Sequence, residues 1–150
     1  MEYSQTVKIK NTCFKNASNS FHNIEFVKFL TKSQPIKIIK WEGIKNKDIA
    51  FFKLWFLGWK NFIVIHENYN FTKEFLSFTD KGIQLPLGIK YWKHSHIIKK
   101  HHNDILIIDS LTIKHSNILI GYLLVPILLF PIFIRKFLYK FYFLKSNKNS

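Results

Sequence analysis

The sequence predicts an α+β fold: one strand, one helix, six further strands and a long C-terminal helix. Three observations carry that reading. From Ile36 to Lys114 the chain is a succession of short β-rich runs parted by polar or glycine-containing breaks, the texture of an antiparallel meander. The residues ahead of them alternate at period two and then switch to helical spacing. The residues after them, from Asn117 to Leu144, are apolar over a length that no strand needs. A chain of 150 residues fits one domain with a sizeable core, expected over 1–145, with a disordered basic tail at 146–150.

Tyr3 to Lys10 reads as a strand with Tyr3, Gln5, Val7 and Ile9 on one face. Asn11 to Ser20 is rich in Asn, Ser and Thr and reads as a loop. Phe21 to Lys32 sets Phe21, Ile24, Phe26, Phe29 and Leu30 near helical spacing and predicts a short helix, ended by Pro35. Strands follow over Ile36–Trp41, Ile49–Leu57, Phe62–Glu67, Glu74–Thr79, Ile89–Lys99 and Ile105–Lys114. Their breaks fall at Gly43, Gly58 to Asn61, Asn68 to Asn70, Gly82 to Gly88 around Pro86, and His101 to Asp104. In the last segment the first half has no polar face. The second half sets Phe137, Leu138, Phe141 and Leu144 against Lys136, Lys140 and Lys145.

The net charge is +14, which invites a nucleic-acid reading. Two features argue against it. Among the 23 basic residues only Arg135 is arginine, the side chain suited to bidentate phosphate and base contacts. The lysines are scattered through a composition rich in Asn, Ile and Phe, as codon bias would scatter them. The 16 Phe, 6 Tyr and 4 Trp predict an interior dominated by aromatic packing. Cys13 has no partner for an internal disulfide and reads as a buried or inert thiol in a reducing compartment. The first ten residues have no apolar core of a signal peptide, and a cytoplasmic location, free or membrane-associated, is expected.

Several local motifs share one pattern: Phe78-Thr79-Asp80, the turn from Gly82 through Pro86 to Gly88, Trp92-Lys93-His94-Ser95-His96, Ile108-Asp109-Ser110, and Pro126 through Arg135-Lys136-Phe137. On these residues and on element order, the chain resembles the START-like, helix-grip (SRPBCC) superfamily, within a bacterial group to which no ligand is assigned. The resemblance covers nearly the whole chain and is strongest from about Phe71 onward. It implies a curved antiparallel sheet of about seven strands wrapped around a long C-terminal helix. It also implies a small hydrophobic ligand, lipid-, sterol- or polyketide-like, in an internal cavity.

Alternation puts Trp92, His94, His96 and Ile98 on one face of their strand, and the lysine-bearing opposite face should meet solvent. A turn at His101-His102 sets Asp109 opposite His94; a turn at His102-Asn103 sets it opposite His96. A buried aspartate flanked by Ile107, Leu111 and Ile113 needs a partner, and a histidine one strand away supplies it. Three readings compete: a structural His–Asp pair, a polar anchor for a ligand oxygen, or a catalytic or metal-binding group. Trp92, His94, His96, Asp109 and Leu111 are therefore the candidate ligand-binding residues. No catalytic residue, metal site or cofactor is expected, because no nucleophile, phosphate loop or cysteine pair accompanies them. An enzyme of cyclase or hydrolase type using His94, His96 and Asp109 is the alternative.

Ser116 to Ile134 carries no charge and is long enough to cross a bilayer, with Arg135, Lys136, Lys140, Lys145 and Lys148 as a basic flank. Pro126 and Pro131 interrupt it, and the resemblance needs this helix to close the sheet. The helix is expected to pack on the sheet and kink near Pro126. Its outer apolar face, within 117–134, is expected to meet a membrane surface or a second copy of the chain.

Overall fold

The structure is a computed structural model that describes residues 1–148. Its elements are β1 (Glu2–Ile9), α1 (Phe14–Phe21), α2 (Ile24–Thr31), β2 (Ile36–Trp41), β3 (Ile49–Trp55), β4 (Trp59–Phe71), β5 (Phe75–Gln84), β6 (Ile89–His101), β7 (Asp104–His115), α3 (Ile118–Phe133) and α4 (Arg135–Lys148). The seven strands form one curved antiparallel sheet in the order β1-β7-β6-β5-β4-β3-β2. The helices α3 and α4 run along its concave side, giving the α+β helix-grip architecture. The expected basic tail at 146–150 ends outside the described residues, which stop with α4 at Lys148.

The expected loop over Asn11 to Ser20 is instead mostly α1. Phe14, Ala17, Ser18 and Phe21 bury one face at helical spacing. The polar residues that suggested a loop bond inside the helix: Ser18 Oγ donates to Lys15 O at 3.1 Å and Ser20 Oγ to Asn16 O at 3.0 Å. A second helix starts after Asn23, whose side chain accepts from Glu25 N at 2.9 Å as an N-cap. The single helix expected over Phe21 to Lys32 is thus α2 preceded by a break. Cys13, at the N-terminal edge of α1, is exposed rather than buried.

The expected break at Asn68 to Asn70 is a bulge within β4, and the one at Gly82 to Gly88 begins inside β5 and turns only after Gln84. Asn68 lies at positive φ where the β4–β5 register shifts between Glu67 and Asn70, and Gly82 adjoins the shift between Ile63 and Val64. The β6–β7 hairpin turns at His102-Asn103, with His101 paired to Asp104. Of the two expected registers, it is the one that puts His96 opposite Asp109.

The helix α3 buries only Leu124, Leu128 and Ile132, one side chain per turn, against the sheet. The seam continues in α4 through Tyr139 and Phe143, which pack with Phe26 of α2 in an aromatic cluster. The expected face of Phe137, Phe141 and Leu144 is therefore the outer one; each of them is exposed. The helix interruption falls at Ile134, not at Pro126, with an i→i+3 bond from Phe137 N to Ile134 O at 3.0 Å. Pro126 is itself exposed, on a side of the helix open to solvent.

Candidate functional site

The concave face of the sheet, α2 and α3 enclose a cavity of about 520 Å³. Ala50, Val64, Phe62 and Trp92 supply its sheet wall, and Leu128 and Ile132 its helical wall. Trp55, Ile127 and Phe130 line it and are also exposed, so the cavity opens at that end. His66, Asp80, His94, His96 and Arg135 form its polar end.

Two adjacent rows of the sheet build that end. In one, His66 of β4 pairs with Asp80 of β5, and Asp80 with His94 of β6. In the next, His96 of β6 pairs with Asp109 of β7, and Asp109 with Gln5 of β1. Strand alternation sends all of these side chains to the concave side. Asp109 Oδ1 takes a hydrogen bond from His96 Nδ1 at 3.0 Å and one from the Tyr139 hydroxyl at 3.3 Å. Gln5 Nε2 donates to Asp109 Oδ2 at 3.0 Å. On its other side the His96 ring meets Asp80 Oδ2, with Nε2 at 3.1 Å. His66 is held by a bond from Nδ1 to the Asp48 carbonyl at 3.0 Å, and its Nε2 stands 3.2 Å from Asp80 Oδ1, too skewed to satisfy that oxygen. His94 lies between the carboxylates, Nδ1 at 3.7 Å from Asp80 Oδ2 and Nε2 at 3.4 Å from Asp109 Oδ1.

Charge balance follows from these contacts. Burial works against both carboxylates, but the imidazoles outweigh it: His96 and His66 hold Asp80, and His94 and His96 hold Asp109, well below the ordinary range. Burial also opposes charge on His96, yet Asp80 and Asp109 together raise its pKa. Burial and the neighbouring His96 push His94 down to about 4, so its ring is neutral. His96, its proton affinity raised, and Arg135 then face two carboxylates at the polar end of the cavity. Arg135 Nε is buried without a hydrogen-bond partner among the described residues.

Of the residues singled out from sequence, Trp92, His94 and His96 line the cavity. Asp109 stands behind the two histidines, and Leu111 packs in the core beneath α3. His66, Asp80, Arg135 and Tyr139 are not among those candidates, although Asp80 and Arg135 stand in the motifs that carry the resemblance. Parity held the signal for two of them: Phe62, Val64 and His66 share one face of β4, and Leu76, Phe78 and Asp80 one face of β5. Among the described residues, Asp80, His94 and His96 bring their ligand-type atoms close enough together that they could hold a metal ion.

No family model and no curated protein matches the chain. Solved structures share its fold. Protein Ms6760 from Mycobacterium smegmatis aligns with a TM-score of 0.64 at 7% identity, over 97% of this chain and 92% of that one. Hypothetical protein jhp0584 from Helicobacter pylori gives 0.58 at 16% identity, over 77% and 70%. The ginseng major latex-like protein 151 from Panax ginseng gives 0.54 at 16% identity, over 78% and 80%. These likenesses establish the fold. The ginseng protein belongs to the helix-grip superfamily that the sequence resembles.

Proposed function

We propose that the chain binds one small, mostly apolar molecule in the cavity, lipid-, sterol- or polyketide-like, with an oxygen of that molecule held at the polar end. The carrying observation is the cavity itself: about 520 Å³, apolar along its walls, and closed at one end by convergent polar groups. Small-molecule sites have this design, with volumes of roughly 300–1,000 Å³. Arg135 Nε, buried and unbonded, is a donor for that oxygen. A cyclase or hydrolase reading gains less. The hydroxyl in contact with the cluster is that of Tyr139, and burial together with Asp109 pushes its pKa well above the ordinary value. Delipidated protein titrated with fatty acids, sterols and aromatic polyketides, against a bound fluorescent probe, tests the reading. One class is expected to displace the probe saturably; displacement by none of them contradicts it.

A second observation favours a membrane surface as the place where the ligand is exchanged. Ile118 to Lys145 is long and apolar enough to cross a membrane, yet the seam on the sheet covers only one side of it. Leu119 and Leu123 are each 77% exposed, and the exposed Ile127 and Phe130 continue that face to the cavity mouth. Lys136 lies 3.7 Å over the Phe133 ring, and Lys140 and Lys145 follow on α4, suiting an anionic lipid interface. Cosedimentation with anionic but not zwitterionic liposomes is expected. A dimer in solution without liposome binding would assign the face to a second copy instead.

A further inference from the structure

Asp80, His94 and His96 each offer one ligand-type atom, the three lying within 4.8 Å of one another. On a tetrahedral ion with bonds of about 2.0–2.1 Å, neighbouring donors stand roughly 3.3 Å apart. Asp80 Oδ2 stands 3.1 Å from His96 Nε2 and 3.7 Å from His94 Nδ1. Two of the three donor separations thus stand within about half an ångström of that spacing, and the third is no more than 4.8 Å.

The far nitrogens of both rings are already committed. His96 Nδ1 donates to Asp109 Oδ1 at 3.0 Å, and His94 Nε2 faces the same oxygen at 3.4 Å. One buried carboxylate orients both rings from behind, as outer carboxylates orient metal-binding histidines. Gln5 and Tyr139 hold that carboxylate in turn. The other oxygen of the third donor, Asp80 Oδ1, lies 3.2 Å from His66 Nε2.

His94 separates this arrangement from a purely structural His–Asp network. Its side chain is 1% exposed; its Nε2 has only the long, poorly aligned approach to Asp109 at 3.4 Å, and its Nδ1 stands 3.7 Å from Asp80 Oδ2, beyond hydrogen-bond reach. Buried polar groups are normally bonded. With its Nε2 proton toward Asp109, the Nδ1 lone pair of His94 points at the Asp80 carboxylate, a repulsive contact unless a cation sits between them.

We infer that Asp80 Oδ2, His94 Nδ1 and His96 Nε2 bind a divalent transition-metal ion, Zn²⁺ by preference, with a fourth position open to the cavity. Imidazole and carboxylate donors in tetrahedral array suit Zn²⁺, and three protein ligands with one open position mark a site that exchanges its fourth donor. The site does not depend on the proposed organic ligand, because it is read in protein freed of lipid.

Full-length protein is stripped with a chelator, checked for folding by circular dichroism, and titrated with Zn²⁺ and Co²⁺ in equilibrium dialysis with metal analysis. One equivalent per chain is expected, and the Co²⁺ form should absorb in the visible. His94→Gln and Asp80→Asn should each abolish the stoichiometric uptake. Asp109→Asn keeps all three donors and should weaken uptake roughly 10–100-fold. Replacing the turn residues His101 and His102 by Ala should change nothing. Absence of stoichiometric uptake by the folded wild type overturns the inference, as does an equivalent that survives both His94→Gln and Asp80→Asn. If a variant fails to fold, the wild-type stoichiometry and the Co²⁺ spectrum decide alone.

Discussion

His96 and Asp109 stand directly opposite each other in the β6–β7 ladder, and Asp109, 0% exposed, takes its hydrogen bond at 3.0 Å from the His96 ring. Around that pair β5, β1 and α4 each contribute one more group, Asp80, Gln5 and Tyr139, so the polar end ties the sheet to the C-terminal helix. An uncompensated charge there is costly, and the pair is retained because each partner satisfies the other.

Asp109→Ala removes the acceptor shared by His96, Tyr139 and Gln5. Breaking a buried pair from one side costs about 3–5 kcal/mol. Urea unfolding should show a loss of that size; a loss within the ordinary surface range of about 0.5 kcal/mol would contradict the network.

Phe26 is 1% exposed and meets the rings of Phe21, Tyr139, Tyr142 and Phe143. It fastens α2 to α4 over the inner end of the fold. Phe26→Ala should destabilise by about 3–5 kcal/mol in the same assay. A near-neutral effect would mean that the aromatic cluster does not hold the C-terminal helix.

Arg135→Met should distinguish ligands by their polar groups. Loss of a charged hydrogen bond, about 1.5–3 kcal/mol, predicts roughly 10–100-fold weaker binding of an amphiphile bearing an oxygen. Binding of a plain hydrocarbon of equal size should not change. Equal losses for both would place the oxygen elsewhere.

The outer face of α3 is tested by the double variant Leu119→Glu, Leu123→Glu. Both side chains are exposed, so the thermal midpoint should hold while sedimentation with anionic liposomes is lost. Unchanged sedimentation would exclude this face as the contact.

Much of this architecture was legible in the sequence because sheet alternation is local. The period-two pattern alone put Trp92, His94 and His96 on one face, and the two candidate turns put Asp109 opposite His94 or His96; the observed His102-Asn103 turn selects His96. His66 and Asp80 were harder, because bulges at Glu67 to Asn70 and at Ile63 to Val64 break the count across β4 and β5. Arg135 follows a stretch that reads as a membrane segment with a basic flank, and only the seam from Ile132 to Tyr139 shows that it turns inward. The first helix was hidden by composition: Asn and Ser favour loops, and it is the tertiary burial of Phe14, Ala17 and Phe21 that decides otherwise.

Occupancy of the cavity is tested most directly by titrating delipidated protein with a fluorescent fatty-acid analogue, in parallel with Ala50→Phe. Ala50 is 1% exposed and lines the cavity, so a phenyl group there fills ligand space. The wild type should bind saturably, one molecule per chain, and the folded variant at least about tenfold more weakly, a difference of roughly 1.4 kcal/mol. No saturable uptake by the wild type, or equal uptake by folded Ala50→Phe, would contradict binding in this cavity.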